Sequence, residues 1–425
     1  MSPRKTRRLR PILRPFLGRR LPADLRGQRV VRLAQKLPAG VRDPGFETLL
    51  QKIDGAPFLG GNEVEVYTRG EDAFAAMRAA VRAAEREILL ESYIYKDDST
   101  GRAFLEDLAG AAARGVRVQV VADALGSIST SGAFWREMAL RGIESRLYHP
   151  LIKKLWYHPF RDHRKILVVD RHVAFTGGMN IGEEYGSTLG VRMPPGTTWR
   201  DTHLRILGPT AWEMAVVFEE SWTGAEGAAL DLPPLDLARA EAPGARILVL
   251  DSKPNRGQAE TAAALAAVVS AARTSVWITN AYFAPGWAAV RILGQAAQRG
   301  VDVRLLLPGL SDVPLARHAG HGYFSRLLQR GVRIFEYQPS ILHAKCMVAD
   351  GRVSVAGSTN LDFRSFVFNA ECDLVVLCEE TARKMEAAFE NDLKSAVEIR
   401  RGDWKRRTLL HRAGDTMARW MAPVL

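Results

Sequence analysis

The 425-residue chain contains only three cysteines and no long apolar segment. Cys346, Cys372 and Cys378 lie in hydrophobic, strand-like sequence, so we expect buried free thiols in a reducing compartment and no disulfide framework. No stretch approaches the roughly 18 consecutive apolar residues of a conventional transmembrane helix. The N-terminus lacks an apolar signal region and is interrupted by Pro11 and Pro15, so it makes a poor secretory signal, although an organellar transit peptide stays open. Any membrane contact is therefore expected to be peripheral.

Acidic residues are scarce at the two ends of the chain. The net charge of +12 divides into +11 for residues 1–36, +5 for residues 400–425 and −4 for the body between them. A nucleic-acid enzyme is expected to carry its basic residues around its groove. Basic tails interleaved with apolar residues instead suit an anionic membrane, at about 1 kcal/mol per Lys or Arg. The charge distribution favours a lipid surface as partner, and no nucleic acid is expected.

The two tails are predicted to differ in structure. Residues 1–60 are rich in Pro, Gly and Arg and show no sustained period, so we interpret them as a basic leader on a membrane surface. Residues 400–425 place Trp, Leu and Met between cations, as interfacial helices do. The alternative for this second segment is a helix packed on the adjoining domain with a solvated face.

The body of the chain has the composition of a globular enzyme, with 47% hydrophobic and 25% charged residues. Helical periodicity over residues 71–84 and 103–113 alternates with apolar strand-like runs over residues 87–95 and 116–123. This alternation predicts an α/β fold whose sheet is largely buried on both faces.

The same order of elements occurs twice. The segment "HRKILVVDRHVAFTGGMN" (163–180) is echoed 180 residues later by "HAKCMVADGRVSVAGSTN" (343–360), and the flanking segments are echoed as well. The chain is therefore a tandem duplication. We predict a first domain over residues 61–223, a Pro-, Gly- and Ala-rich linker over 224–245, and a second domain over 246–399.

Each copy carries a histidine, a lysine two residues on, an aspartate at +7 and an asparagine at +17. In a strand, positions i and i+2 face the same way, so His163 projects with Lys165, and His343 with Lys345. The aspartates at odd spacing point to the opposite side. Two such halves around one phosphate would supply a nucleophile, a general acid and anion-stabilising donors without any metal.

This pattern resembles the phospholipase D superfamily, whose signature is HxKxxxxD followed by a G-[GS]-x-N turn. The resemblance spans roughly residues 60–400 and implies two tandem α/β/α sandwich repeats, packed as a pseudo-twofold bilobal unit. In the superfamily a downstream acid orients each histidine, and Asp201 and Glu371 fill that place. One departure is Gly178, where the second half has Ser358, so the two sides are expected to be unequal.

Within the superfamily, "GSTNLDFRSFVFNAE" and "DTHLRILGP" are similar to the cardiolipin synthases, which move a phosphatidyl group between two phosphatidylglycerol molecules. By analogy His163 attacks phosphorus and His343 is the acid and later the base, although the near-symmetric sequence leaves the reverse order open. The resemblance implies no cofactor and no metal, with phosphoryl contacts from Lys165, Lys345, Asn180, Asn360 and Ser358. Asp201 and Glu371 are expected to fix the imidazole tautomers, and Asp170 and Asp350 to have structural roles.

Two further histidines, His318 and His321, are candidates for lining the headgroup entrance, and without a familiar ligand spacing they are not expected to bind a metal. The predicted location is the cytoplasmic face of the cell membrane. Hydrolysis of a phospholipid or nucleic acid by the same pocket is the alternative activity. A non-catalytic membrane-binding protein is disfavoured because both motifs are intact. The acceptor alcohol and the oligomeric state stay open.

Overall fold

A computed structural model describes residues 26–149, 160–186, 198–252 and 260–421. Two helices precede the first repeat, α1 (Arg26–Gln35) and α2 (Pro44–Asp54). The strands of the first repeat are β1 (Leu59–Tyr67), β2 (Glu87–Ser92), β3 (Arg117–Asp123), β4 (Glu144–Tyr148), β5 (Arg161–Asp162), β6 (Lys165–Val169), β7 (Val173–Gly177) and β8 (His203–Leu207). Its helices are α3 (Gly70–Ala83), α4 (Ser99–Ala113), α5 (Gly132–Leu140) and α6 (Thr210–Gly224).

The second repeat follows a short helix, α7 (Leu237–Ala240). Its strands are β9 (Ala245–Ser252), β10 (Ser275–Asn280), β11 (Asp302–Pro308), β12 (Arg333–Tyr337), β13 (Lys345–Ala349), β14 (Val353–Gly357), β15 (Asn369–Leu377) and β16 (Ala396–Glu398). Its helices are α8 (Glu260–Ala271), α9 (Gly286–Gln298), α10 (Pro314–Gln329), α11 (Phe363–Val367) and α12 (Glu379–Leu393). Two C-terminal helices complete the described chain, α13 (Arg401–Lys405) and α14 (Leu409–Met421).

One mixed sheet runs through both repeats. From one edge its order is β16-β12-β11-β10-β13-β14-β15-β9, followed by β1-β8-β7-β6-β2-β3-β4, and β5 pairs with β15 beside this path. The second series repeats the first in reverse, so a pseudo-twofold axis passes between β9 and β1, which pair antiparallel. The predicted duplicated α/β fold is confirmed.

The helices cover both faces of this sheet. On one face α3, α4 and α5 enclose the core of the first repeat, and α8, α9 and α10 that of the second. On the other face α6 and α12 share a third cluster to which both repeats contribute, including Leu204, Phe218, Leu374 and Met385. Because this cluster crosses the pseudo-twofold axis, it fixes the two halves against each other.

The region predicted to be a surface leader differs from that expectation within the described residues. Asp43 caps α2 by accepting a hydrogen bond from the Gly45 amide at 2.9 Å, and Pro44 occupies the first helical turn. Phe46, Ile53 and Val30 are buried in the core of the second repeat. The sequence signal that was missed is the helical spacing of a few apolar residues within a Pro- and Gly-rich segment. Residues 1–25 lie outside the described residues, and the remaining domain boundaries stay predictions.

Candidate active site

Short crossing strands bring the two repeats together at the motif histidines. β5 immediately precedes His163 and pairs in parallel with Asn369 and Ala370 at the start of β15. The His163 amide donates to the Ala370 carbonyl oxygen at 2.9 Å. This backbone contact places the next residue of β15, Glu371, beside the His163 ring.

The carboxylate of Glu371 holds that ring by its Nδ1 atom. The two carboxylate oxygens lie 2.9 and 3.1 Å from Nδ1, and the Glu371 side chain is fully buried. Asn369 donates from Nδ2 to one of the same oxygens at 3.1 Å. With Nδ1–H donating to the carboxylate, Nε2 of His163 carries the free lone pair of a nucleophile.

The second half-site repeats this arrangement in the opposite direction. Arg200 forms an isolated parallel β-bridge with Leu342, and the His343 amide donates to the Arg200 carbonyl oxygen at 2.7 Å. The next residue, Asp201, places Oδ2 at 2.8 Å from His343 Nδ1. Each histidine is therefore paired with the acid of the other repeat, and the expectation that each acid orients the histidine upstream of it in the same repeat is wrong. The reason is the strand crossing, which exchanges the acids between the halves.

The motif lysines are buried beside their histidines. Lys165 Nζ donates to the His163 carbonyl oxygen at 2.6 Å, and Lys345 Nζ contacts the His343 carbonyl oxygen and lies 2.9 Å from His343 Nδ1. Burial lowers the pKa of Lys165 to about 7 and that of Lys345 to about 8. Both ammonium groups lose solvation that a bound anion could replace.

The histidines respond to burial in the same direction but to different extents. Burial, followed by the charges of Lys165, Lys345 and His343, holds the pKa of His163 well below its usual range. The pKa of His343 is also lowered by burial and Lys345, while Asp201 opposes the shift. His343 and Lys345 belong to the second half-site, yet their charges lower the pKa of His163 in the first. The two half-sites therefore share one electrostatic environment. His163 is thus the more strongly neutral imidazole.

The two acids differ as well. Burial raises the pKa of Glu371 to about 7, against the opposing charge of Lys165. Burial also acts to raise the pKa of Asp201, but Lys345 and His343 outweigh it and keep that pKa below its ordinary value. Asp201 is therefore a permanent anion at neutral pH, and Glu371 is close to its titration midpoint.

The Gly-rich turns explain part of this difference. A Cβ on Gly178 would lie 2.1 Å from Asp201 Oδ1, so only glycine leaves room for this carboxylate. At the equivalent position Ser358 faces β15, where its Oγ accepts from the Cys372 amide at 2.9 Å. Gly178 is thus a steric requirement of the first half-site rather than a missing donor.

The asparagines at the ends of the turns lie beside the same strands. Asn180 accepts from the Ile94 amide at 3.1 Å and donates to the Tyr185 hydroxyl at 3.0 Å. Asn360 is buried, and its Oδ1 atom has no hydrogen-bond partner among the described residues. The Asn360 Oδ1 atom is therefore a buried acceptor that a donor group of a ligand, such as a hydroxyl, could satisfy.

The motif aspartates were expected on the opposite side of the motif strands but lie in left-handed turns directly after β6 and β13, both with φ of 51°. Asp170 accepts from the amides of residues 85, 86 and 87 at 2.8–2.9 Å. Asp350 accepts equivalently from the amides of residues 273, 274 and 275 at 2.8–2.9 Å. Their geometry is that of structural residues that fasten the motif strand to the preceding helix–strand turn.

His318 and His321 lie where α10 meets α14, and their place at the headgroup entrance stays a prediction. His318 Nδ1 is 3.0 Å from Asp415 Oδ1, and His321 Nε2 is 2.9 Å from Glu336 Oε1. At i and i+3 they share one helix face, and that face is turned toward α14. His318, His321 and Asp415 could hold a metal ion, with ligand atoms within 4.8 Å of one another, but Arg407 already binds the other Asp415 oxygen at 2.6 Å.

Aromatic residues not identified from the sequence surround the histidines. The Tyr93 ring packs 4.9 Å from that of His163, and the rings of Trp199, Tyr185 and Tyr282 lie 5.2–6.0 Å from that of His343. Tyr93 and Tyr282 follow the carboxyl ends of the equivalent strands β2 and β10, which was the available sequence signal. These rings shield the imidazoles and limit their access to water.

Within the described ranges, none of the helices has both the length and the apolar character needed to cross a membrane.

Comparison with known proteins identifies the family. The model of the family "Cardiolipin synthase, PLD-like domain" matches residues 77–186 and 265–393. Cardiolipin synthase 1 of Bacillus anthracis is 31% identical, over 99% of this chain and 84% of that protein. Cardiolipin synthase A of Pseudomonas syringae pv. syringae is 34% identical, over 88% of this chain and 78% of that protein.

Among solved structures, the phosphatidylserine synthase of Haemophilus influenzae superimposes with a TM-score of 0.67. The alignment covers 88% of this chain and 96% of that one at 12% identity, and so shows a shared fold. The resemblance to the phospholipase D superfamily is confirmed. The chain therefore belongs to the cardiolipin synthase family of phospholipase D-like phosphatidyltransferases.

Proposed function

We propose that this enzyme transfers a phosphatidyl group from one phosphatidylglycerol to another, releasing glycerol, through a covalent phosphatidyl-histidine. The observation that supports this best is the crossed pairing of His163 with Glu371 and of His343 with Asp201. Two oriented imidazoles at one site provide the nucleophile and the acid that a two-step displacement requires.

In the first step Nε2 of His163 attacks phosphorus and the bond from phosphorus to the headgroup glycerol oxygen breaks. His343 gives its proton to that oxygen, and glycerol leaves. The strongly lowered pKa of His163 favours the neutral nucleophile. The ionised Asp201 opposes the lowering of the His343 pKa, so His343 is protonated more readily than His163, as the role of the acid requires.

In the second step His343, now neutral, removes the proton from a hydroxyl of the second phosphatidylglycerol. The resulting oxygen attacks phosphorus, the bond to His163 breaks, and cardiolipin forms. Lys165 and Lys345, with Asn180, Asn360 and Ser358 as the predicted hydrogen-bonding partners, would stabilise the charge on the phosphoryl oxygens. Phosphatidylglycerol is the substrate expected from the names of the relatives, and a peripheral position at the cytoplasmic membrane face is part of the proposal.

The test is product analysis after incubating the purified chain with phosphatidylglycerol vesicles in EDTA. We expect cardiolipin and glycerol in equal amounts. Phosphatidic acid as the main lipid product would identify a hydrolase instead. His163→Ala and His343→Ala should each lower turnover by about 10³-fold or more, because each imidazole acts in both steps. His172→Ala, which removes an exposed histidine, is the matched control and should leave turnover unchanged.

A further inference from the structure

Helix α14 packs on the second repeat with a polar residue turned inward and its large apolar side chains turned outward. Asp415 and Ala418 face the protein and are only 3% and 2% exposed. Met417, Trp420 and Met421, on the opposite side of the helix, are 71%, 78% and 46% exposed. A helix of a globular protein ordinarily buries its apolar stripe. Here the acidic residue is inside and the large apolar side chains are outside.

The inward face is held by polar contacts and by close packing. Asp415 binds His318 at 3.0 Å and Arg407 at 2.6 Å. A Cβ on Gly322 of α10 would lie 3.0 Å from Arg419 Cβ and 3.1 Å from the Asp415 carbonyl oxygen, so glycine permits the two helices to approach closely. The orientation of α14 is therefore fixed by buried contacts, which leave Met417 and Trp420 mostly exposed and Met421 about half exposed.

A further exposed aromatic side chain lies on α9, beside Arg419 of α14. Trp287, in the first turn of α9, is 55% exposed. The Arg419 guanidinium lies 5.0 Å from its ring centroid and 5.9 Å from that of Tyr323. We call Trp287, Met417, Trp420 and Met421 the α14 surface. Its member Trp287 lies near the end of the sheet that carries the site, because α9 follows β10, whose last residue Asn280 pairs with Lys345.

The charges of the C-terminal segment that carries this surface favour one kind of partner. Arg401, Lys405, Arg406 and Arg412 are exposed on α13, α14 and the turn between them, and residues 400–425 carry a net charge of +5. Aromatic and methionine side chains between cations match the boundary between acyl chains and anionic headgroups. A second copy of this chain would bring like charges together. We infer that the α14 surface is a docking site for an anionic phospholipid membrane, which holds the enzyme with its site near the leaflet that contains its substrate. This inference deepens the proposed function and rests on it for the identity of that substrate.

The experiment measures flotation of the full chain with vesicles of phosphatidylglycerol and phosphatidylethanolamine, and with vesicles of phosphatidylcholine alone. The triple variant Met417→Ser, Trp420→Ser and Met421→Ser should reduce binding to the anionic vesicles at least about tenfold, because three apolar side chains no longer enter the interface. The wild-type chain should bind phosphatidylcholine weakly. The matched control exchanges three exposed apolar side chains elsewhere, Leu140→Ser, Leu237→Ser and Val397→Ser, and should bind as wild type.

Two further readouts separate the possible failures. Brominated acyl chains should quench wild-type fluorescence more than that of Trp420→Phe. Equal flotation of the triple variant and wild type would overturn the inference. It would also be overturned if the wild-type chain formed a dimer without lipid and the only effect of the triple substitution were to make it a monomer. Transfer is measured in parallel on dispersed short-chain phosphatidylglycerol, where the triple variant should keep wild-type activity. A wild-type chain inactive on both substrate forms would refute the proposed function, whereas flotation would still test the docking site.

Discussion

A substrate with an acidic leaving group should separate the roles of the two crossed pairs. In phosphatidyl-p-nitrophenol the phenolate departs without a proton, so formation of the covalent intermediate needs the nucleophile but no acid. The proposed roles therefore predict that the pair His163–Glu371 still limits the first turnover, while the pair His343–Asp201 does not.

The magnitude follows from the buried contact at 2.9–3.1 Å between Glu371 and His163. At an effective dielectric constant of about 20, a carboxylate about 3 Å from a full positive charge stabilises it by about 5 kcal/mol. If about half of that charge has developed on the ring in the transition state, Glu371→Gln costs about 2–3 kcal/mol, or roughly 100-fold in rate. Glutamine keeps the acceptor oxygen, so the ring orientation is maintained. The change in rate therefore measures the loss of the carboxylate charge.

The assay is a rapid-mixing burst of p-nitrophenolate at about pH 8, where most of Glu371 is ionised given its pKa of about 7. His163→Ala should abolish the burst and Glu371→Gln should slow it about 100-fold. His343→Ala and Asp201→Asn should stay within about threefold of wild type, yet all four variants should be slow on phosphatidylglycerol. A normal burst in Glu371→Gln together with a slow one in Asp201→Asn would reverse the assigned roles and refute the reasoning.

Three further results are expected. First, kcat/KM should fall as pH rises through about 7 to 8, because Lys165 and Lys345 lose their protons there. A bound phosphodiester should move the corresponding fall in kcat to higher pH, and a kcat/KM that stays constant up to about pH 10 would contradict these pKa values. Second, Gly178→Ala should behave like Asp201→Asn in both assays, because the added Cβ lies 2.1 Å from the Asp201 carboxylate; wild-type turnover would show that the turn yields freely. Third, Ile53→Ala should lower the free energy of unfolding by about 2–5 kcal/mol in a denaturant titration, because this side chain is fully buried against the second repeat; an unchanged midpoint would restore the surface-leader interpretation.

Local spacing was sufficient to predict the composition of each half-site. The separation of two residues between His163 and Lys165 is that of side chains on one side of a strand, whereas Asp170 lies in the left-handed turn after β6, where three amides donate to it. Duplication of the motif then predicted that a second, equivalent half-site exists. The pairing of each histidine with its lysine depends on strand geometry alone, so no long-range information was needed for it.

The pairing of residues far apart in the sequence could not be predicted in this way. Nothing local in β5 specifies that it pairs with β15, yet this contact decides that Glu371 serves His163. The same limit applies to Asp415, which lies 97 residues beyond His318 and binds it across a helix contact. The helices before residue 55 were missed because their few apolar residues become informative only when the second-repeat core that buries them is known.

The crossed pairing also gives a reason for the inequality of the half-sites. Each acid belongs to one repeat and acts on the other, so a change in one Gly-rich turn alters the opposite histidine. Gly178 admits the short, ionised Asp201 and thereby supports a chargeable His343, whereas the longer Glu371, with its pKa of about 7, faces a histidine that burial and lysine charges keep neutral. Reaction through one nucleophile and one acid requires this difference, since two equal imidazoles would compete for both roles. The duplicated fold thus supplies the symmetry that brings the groups together, and two residue exchanges, Gly for Ser and Asp for Glu, supply the asymmetry that the chemistry needs.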